Sequence, residues 1–153
     1  MSDVFSVQKR SEVMSRIRGR GNERTEGRLA TLFRELRITG WRRHRPLFGH
    51  PDFLFPQRRI AVFVDGCFWH GCPRHYSAPA QNRDFWIRKR QANQARDRLV
   101  NRTLRQRGWR VLRIWEHELR GDLRPLRRKL RRWFGTSVSS GNETVNSARR
   151  GAT

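Results

Sequence analysis

Apolar side chains recur at helical spacing near both ends of the chain. The first pattern runs from Asn22, a suitable N-cap, to about Arg37. The second begins at Asp122 and has Pro125 in its first turn. Each pattern predicts an amphipathic helix that buries one stripe. The stripes are Leu29, Leu32, Phe33 and Leu36 in the first helix, and Leu123, Leu126, Leu130, Trp133 and Phe134 in the second.

Between these helices, short runs rich in β-branched and aromatic residues predict strands. They are residues 51–55, 60–64 and 109–115, and residues 41–44 are a further candidate for the start of a strand. A long, very polar helix is predicted from Asp84 to Gln106. The alternation of helices and strands indicates an α/β fold in a single domain.

The first two predicted strands are joined by four residues, which suits a hairpin. In that register Phe55 lies opposite Ile60, and Asp52 lies opposite Phe63. Asp65 is then the diagonal neighbour of Asp52 on one face of the sheet, roughly 7–8 Å away at Cα. One divalent ion could span the two carboxylates. A slip of one residue would separate them, so this prediction depends on the register.

The charge of the chain indicates its partner. The 35 Lys and Arg residues against 13 Asp and Glu give a net charge of +22, and most of the positive charge is arginine. Arginine binds phosphate bidentately, so we predict a nucleic-acid ligand. The alternatives are a basic surface without a specific ligand, or a ribosomal-type structural protein. No signal-peptide or transmembrane pattern is present, which favours the cytoplasm.

The chain divides into three predicted parts. Residues 1–21 form a basic arm that orders on DNA, residues 22–134 form the folded domain, and residues 135–153 form a disordered tail. The arginines of the long helix, with Lys89, make a wide basic face on the folded domain.

Both cysteines and two of the five histidines lie within eleven residues after the second strand. The spacing of Cys67 and Cys72 favours metal binding over a disulfide in a cytoplasmic chain. Zinc requires four ligands, and His75 with the more distant His117 are the best candidates to complete the set. The alternative is two buried cysteines beside surface histidines. His70 is not needed as a ligand and is free to act as a general acid or base.

Three carboxylates have the arrangement of a nuclease metal site. Glu26 lies on the first helix, Asp52 on the first long strand and Asp65 on the second, as in the restriction-nuclease superfamily. Taken singly, Glu26 is more often a solvated flank residue or cap partner, and Asp52 a turn residue. The superfamily usually has a lysine where this chain has Cys67, which makes His70 the local replacement for the catalytic base.

Phe68 and Trp69 stand between the metal-ligand candidates. Two large aromatic side chains after the end of a strand can belong to the core. They can equally stack on bases or wedge between them.

These motifs together resemble the very short patch repair (Vsr) endonucleases, bacterial enzymes that nick DNA beside T:G mismatches. The similarity runs in order over about residues 8–121 and is highly specific. The matching stretches are Met14–Arg18, Pro51–Phe53, Asp65–Cys72, Phe85–Trp86, Asn93, Arg96–Asp97, Gly108–Trp109 and Trp115–His117.

The resemblance implies a restriction-endonuclease-like mixed sheet flanked by helices, with a structural zinc and a catalytic magnesium. By match to the family, Asp52 and the main-chain carbonyl of Val64 bind magnesium. His70 activates the attacking water, and Glu26 contacts metal-bound water. Members of the best-studied type carry a second active-site histidine where this chain has Asp65, which supplies a carboxylate there instead.

The resemblance also implies how DNA is held. Phe68, Trp69 and Trp86 match an aromatic wedge inserted beside the mismatch, and the arm around Met14 clamps the other groove. The expected DNA contacts are Met14, Arg16, Arg18, Phe68, Trp69, Trp86, Lys89 and Asn93.

We therefore expect a magnesium-dependent, strand-specific DNA endonuclease that nicks double-stranded DNA at T:G mismatches in the bacterial cytoplasm, associated with the nucleoid. A monomer is expected, and mismatch-repair proteins are candidate partners. Two alternatives are a zinc-stabilised DNA-binding protein without catalysis and a restriction-type nuclease that cuts both strands of matched DNA.

Overall fold

The structure is a computed structural model that describes residues 23–135. Three predicted features lie outside the described residues. They are the arm over residues 1–21, the N-cap Asn22, and all of the tail beyond residue 135. The expected DNA contacts that fall outside are Met14, Arg16 and Arg18.

Four strands form one mixed sheet in the order β1 (Arg42–Arg43), β2 (Phe53–Phe55), β3 (Ile60–Asp65) and β4 (Arg110–Trp115). The pairs β1–β2 and β2–β3 are antiparallel, and β4 runs parallel to β3. The predicted mixed sheet is therefore confirmed.

The predicted hairpin register is also confirmed. Phe55 pairs with Ile60, and Phe53 pairs with Val62. Asp52 directly precedes β2, and its backbone N–H donates to the carbonyl of Val62 at 2.9 Å. The start of β2 and the end of β3 consequently meet at one edge of the sheet.

Three α-helices pack on this sheet: α1 (Arg28–Glu35), α2 (Arg83–Gln106) and α3 (Arg124–Phe134). The first helix is shorter than predicted at both ends. Its expected first turn, Glu23–Gly27, is a wider π-helical turn. At its other end, Arg37 adopts a φ of 54°, which right-handed helical geometry does not allow.

The start of α3 also differs in detail from the prediction. The residue at the N-cap position is Leu123, and it makes no side-chain capping bond. Asp122 instead accepts the backbone N–H of Arg124 at 3.0 Å, so it satisfies a donor of the first turn from one position earlier.

Two apolar clusters cover the two faces of the sheet. The larger joins α1 and α3 to one face and contains Phe33, Phe53 and Phe55, each at most 1% exposed. The smaller joins α2 to the other face through Val100 and Leu104. The sheet therefore lies between helices on both faces. Because α2 buries few apolar groups, most of its length presents polar and basic side chains. Among residues 23–135, no helix is long and apolar enough to cross a membrane.

Candidate catalytic and metal sites

The first candidate site lies where the start of β2 meets the end of β3. Asp52 is fixed there because its Oδ2 accepts the backbone N–H of Val64 at 2.7 Å. The antiparallel pairing makes these two residues neighbours across the hairpin. One carboxylate oxygen of Asp52 is thus held by the backbone, and the other remains able to face a cation.

Glu26 reaches this site from the π-helical turn before α1. It is 4% exposed, so the predicted alternative of a solvated flank residue does not apply. Its carboxylate lies close to that of Asp52, and its charge helps to raise the pKa of Asp52. Oε2 of Glu26 also lies 3.1 Å from Nη2 of Arg43 and 3.1 Å from Nε2 of His44. Carboxylate oxygens of Glu26 and Asp52 and a ring nitrogen of His44 all lie within 4.8 Å of one another.

Burial strongly affects the protonation of this cluster. Burial raises the pKa of Asp52 from 3.8 to about 7; the Val64 N–H opposes the rise, and the Glu26 charge adds to it. Two carboxylates in contact and out of water need a proton or a cation between them. The oxygen donors fit a divalent cation such as Mg²⁺, which prefers carboxylate ligands.

Asp65, at the end of β3, is held by a different partner. Both of its oxygens accept hydrogen bonds from Nη1 of Arg113, at 2.8 and 3.1 Å. Asp65 does not join the group formed by Glu26, His44 and Asp52 among the described residues. Burial raises the pKa of Asp65, and the guanidinium of Arg113 offsets part of that rise.

His70 lies between two carboxylates. Its Nδ1 is 2.5 Å from Oδ2 of Asp97 on α2, and its Nε2 is 3.9 Å from Oδ1 of Asp65. Burial alone would lower the pKa of His70, but the hydrogen bond to Asp97 and the charge of Asp65 outweigh it and leave the pKa raised. With Nδ1 engaged by Asp97, Nε2 is the nitrogen that can exchange a proton with a substrate or water.

Asp97 and Arg113 are functional candidates that the sequence alone did not identify. Asp97 belongs to a stretch that carries the family resemblance, and nothing in its spacing pointed to His70. Arg113 had a usable signal, because it is a charged residue inside an apolar strand. It pairs with Phe63 in the parallel register, two residues before the Asp65–Trp115 pair. Because Phe63 packs with residues of α2, Arg113 lies on the sheet face that α2 covers.

The second candidate site joins the loop after β3 to the 3₁₀ helix Glu116–Leu119 after β4. Parallel strands end at the same edge of a sheet, so His117 comes to lie beside Cys67 and Cys72. Nδ1 of His117 is 3.4 Å from Sγ of each cysteine, and Nδ1 of His75 is 3.6 Å from Sγ of Cys72. All four ligand atoms lie within 4.8 Å of one another.

These separations fit a tetrahedral metal. Zinc bonds of about 2.3 Å to sulfur and about 2.0 Å to nitrogen place neighbouring ligands about 3.5 Å apart. Burial raises the pKa of the Cys67 thiol, with the nearby Cys72 adding to the rise. Burial and the charge of His75 lower the pKa of His117, which favours the neutral imidazole that a metal requires.

A cluster of aromatic rings joins the loop after β3 to the start of α2, outside the two apolar cores. The ring of Phe68 is 5.2 Å from that of Trp69 and 5.3 Å from that of Trp86, and all three are partly exposed. Asn93 is buried, and its Nδ2 donates to the carbonyl of Trp69 at 2.9 Å. Asn93 thus anchors the aromatic segment, whereas Lys89 is exposed on α2.

Comparison with known proteins places the chain in a family. The family model described as DNA mismatch endonuclease Vsr matches residues 2–75. The DNA mismatch endonuclease Vsr of Escherichia coli K12 is 37% identical over 122 residues, which span 79% of this chain and 78% of that protein. The chain belongs to the Vsr family of DNA mismatch endonucleases. This Vsr-family protein is therefore a DNA endonuclease, and DNA is its partner.

Other relatives of this Vsr-family protein are described as nicking enzymes. Type II nicking enzyme V.XorIIP of Xanthomonas oryzae pv. oryzae is 38% identical over 86% of this chain and 96% of its own length. Type II nicking enzyme V.NaeI of Lentzea aerocolonigenes is 54% identical over 44% of this chain, and the match spans 41% of that protein. The catalytic domain of homing endonuclease I-Bth0305I has a TM-score of 0.48 at 20% identity, over 74% of this chain and 96% of that one. A similarity this weak supports no conclusion about activity.

Proposed function

We propose that this endonuclease uses Mg²⁺ to nick one strand of double-stranded DNA beside a T:G mismatch, in the bacterial cytoplasm and in association with the nucleoid. The observation that carries the proposal is the pairing of Asp52 with Glu26 at the start of β2, together with His70, oriented by Asp97 and near Asp65 at the end of β3. That pairing provides a cation site and a proton acceptor for hydrolysis of a phosphodiester.

Each residue has a distinct role in this reaction. Asp52 and the carbonyl of Val64 would hold the Mg²⁺, and Glu26 would add a further carboxylate to that site. When bound, the ion neutralises charge that develops on the phosphate. His70 accepts a proton at Nε2 from the water that attacks phosphorus. The 3′ oxygen leaves, which gives 5′-phosphate and 3′-hydroxyl ends.

The four-ligand group supplies support rather than chemistry. Cys67, Cys72, His75 and His117 would hold a structural Zn²⁺, since closed four-ligand Cys/His sites are structural. The ion would tie the end of β3 to the end of β4. Because His70 lies between the two cysteines, the zinc would also fix the segment that carries the proposed base.

In this proposal, the aromatic cluster recognises the mismatch. A T:G pair is easier to unstack than a matched pair, so insertion of Phe68 or Trp69 beside it costs less. Trp86 supports the two rings from α2. The basic face with Lys89, and the arm with Met14, Arg16 and Arg18, supply affinity that does not depend on sequence. Asp65, paired with Arg113, belongs to the surroundings of His70 in this proposal.

A strand-resolved cleavage assay tests the proposal. A labelled T:G duplex should be nicked on one strand in Mg²⁺, whereas the matched duplex should not. Cleavage of both strands of the matched duplex would favour a restriction-type nuclease. Binding without cleavage would favour a zinc-stabilised DNA-binding protein. Monomeric behaviour and recruitment of mismatch-repair proteins are further parts of the proposal, testable by light scattering and pull-down.

A further inference from the structure

His44 lies in the cation site although its sequence context predicted only a strand. It follows β1 directly and adopts a φ of 50°, a left-handed conformation that is uncommon for a residue with a side chain. Its backbone N–H donates to the carbonyl of Asp52 at 3.3 Å. The segment after β1 is thereby tied to the residue that precedes β2.

The position of the His44 ring matches that of a metal ligand. Its Nε2 is 3.1 Å from Oε2 of Glu26, and its ligand atom lies within 4.8 Å of that of Asp52. Two neighbouring ligands on an octahedral ion with bonds of about 2.1 Å are about 3 Å apart, and opposite ligands are about 4.2 Å apart. Small adjustments would therefore place one ion against all three side chains.

The ion pair of Glu26 does not depend on His44. Arg43 already places a guanidinium 3.1 Å from Glu26 Oε2, so the carboxylate has a cationic partner without His44. The His44 side chain is 32% exposed, and the Glu26 side chain is 5% exposed. His44 is thus the more solvent-accessible of the two side chains.

We propose that His44 is a direct ligand of the catalytic metal ion, together with Asp52 and Glu26. The inference rests on the proposed function, because it extends the same cation site. The ion would then be held by two carboxylates, one imidazole and the main-chain carbonyl of Val64.

The ligand set has a consequence for the choice of metal. Carboxylates suit Mg²⁺ and Mn²⁺, whereas imidazole binds transition metals better than it binds Mg²⁺. The protein should accordingly bind Mn²⁺ more tightly than Mg²⁺. Loss of His44 should weaken Mn²⁺ binding more than Mg²⁺ binding.

Electron spin resonance of bound Mn²⁺ tests the proposal directly. The full-length protein, first given one equivalent of Zn²⁺ to fill its Cys/His group, is titrated with Mn²⁺ in the absence of DNA. Disappearance of the free-ion signal gives the affinity. Spin-echo modulation then reports whether a nitrogen is bonded to the manganese.

The matched variants are His44→Asn and His50→Asn. Both histidines adopt positive φ, at 50° and 55°, and asparagine tolerates that backbone better than most residues. His50 lies outside the Glu26, His44 and Asp52 group. Asp52→Asn serves as the variant that disables the site itself.

The expected result is nitrogen modulation in the wild type and in His50→Asn, and its loss in His44→Asn. Mn²⁺ affinity should fall at least ~10-fold in His44→Asn, since even supporting residues of metal sites contribute that much. Modulation that persists in His44→Asn, or is absent from the wild type, would overturn the proposal. If Asp52→Asn leaves Mn²⁺ binding unchanged, the proposed cation site itself fails. If only Asp52→Asn weakens binding, the assignment of His44 alone fails.

Discussion

The two candidate metal-binding groups lie at one edge of the sheet but are built differently. Three of the four Cys/His ligands come from nine consecutive residues, Cys67 to His75, and one comes from the end of a neighbouring parallel strand. The ligands of the cation site come from three separate segments, and Glu26 and Asp52 meet only through tertiary packing. Local spacing determines the first group, whereas helix docking and strand register determine the second.

The two groups also differ in whether a bound ion would keep coordination positions free for substrate. Four thiolate and imidazole donors complete a tetrahedron and leave no position for substrate. Two carboxylates, one imidazole and one main-chain carbonyl would leave an octahedral ion with positions for water and phosphate. We therefore expect damage to the first group to appear as instability and damage to the second as lost cleavage.

The largest effect on cleavage should come from Asp52→Asn. It replaces a charged ligand by a neutral amide of nearly the same shape, whose oxygen can still accept the Val64 N–H. Nicking of T:G duplexes should fall to background, while the thermal midpoint and DNA binding stay close to those of the wild type. A variant that nicks at a normal rate would remove Asp52 from the cation site.

Cys72→Ser should mainly affect stability. Cys72 is 1% exposed, and structural zinc contributes directly to folding. The purified wild type should contain about one equivalent of zinc. The variant should contain less zinc and unfold at a clearly lower temperature, as measured by metal analysis and calorimetry. Normal stability in protein shown to lack zinc would contradict a structural role.

His70→Ala should lower the nicking rate by at least ~10²-fold, the usual contribution of a general base. Zinc content must be measured alongside, because His70 lies between two proposed zinc ligands. His50→Ala is the control for loss of a histidine elsewhere. Full activity in His70→Ala would mean that another group activates the water.

Arg113→Met should have a smaller effect, seen in stability. It leaves the buried Asp65 carboxylate without its cationic partner, at a cost of about 1–3 kcal/mol. Asp65→Asn in the same chain should restore most of the loss, because it removes the unpaired charge. Chemical denaturation of the two single variants and the double variant forms the cycle. Additive losses would show that the two side chains are energetically independent.

Features set by local sequence could be predicted. The four-residue loop was sufficient to place Phe55 opposite Ile60, and the spacing of apolar residues identified the stripe that α1 buries. Contacts between distant segments were harder to predict. Asp97 contacts His70 because of the way α2 packs on the sheet. His44 contacts Glu26 from a residue with left-handed backbone conformation. Neither feature has a periodic signal in the sequence.

One measurement tests most directly the claim that a closed structural site supports an open catalytic one. The protein is passed into metal-free buffer, and its zinc content and its nicking of the T:G duplex are followed as Mg²⁺ is added back. Nicking should vanish without Mg²⁺ and return with Mg²⁺ alone, while zinc stays near one equivalent throughout. Nicking that persists without Mg²⁺, or that returns only when Zn²⁺ is supplied, would contradict the account.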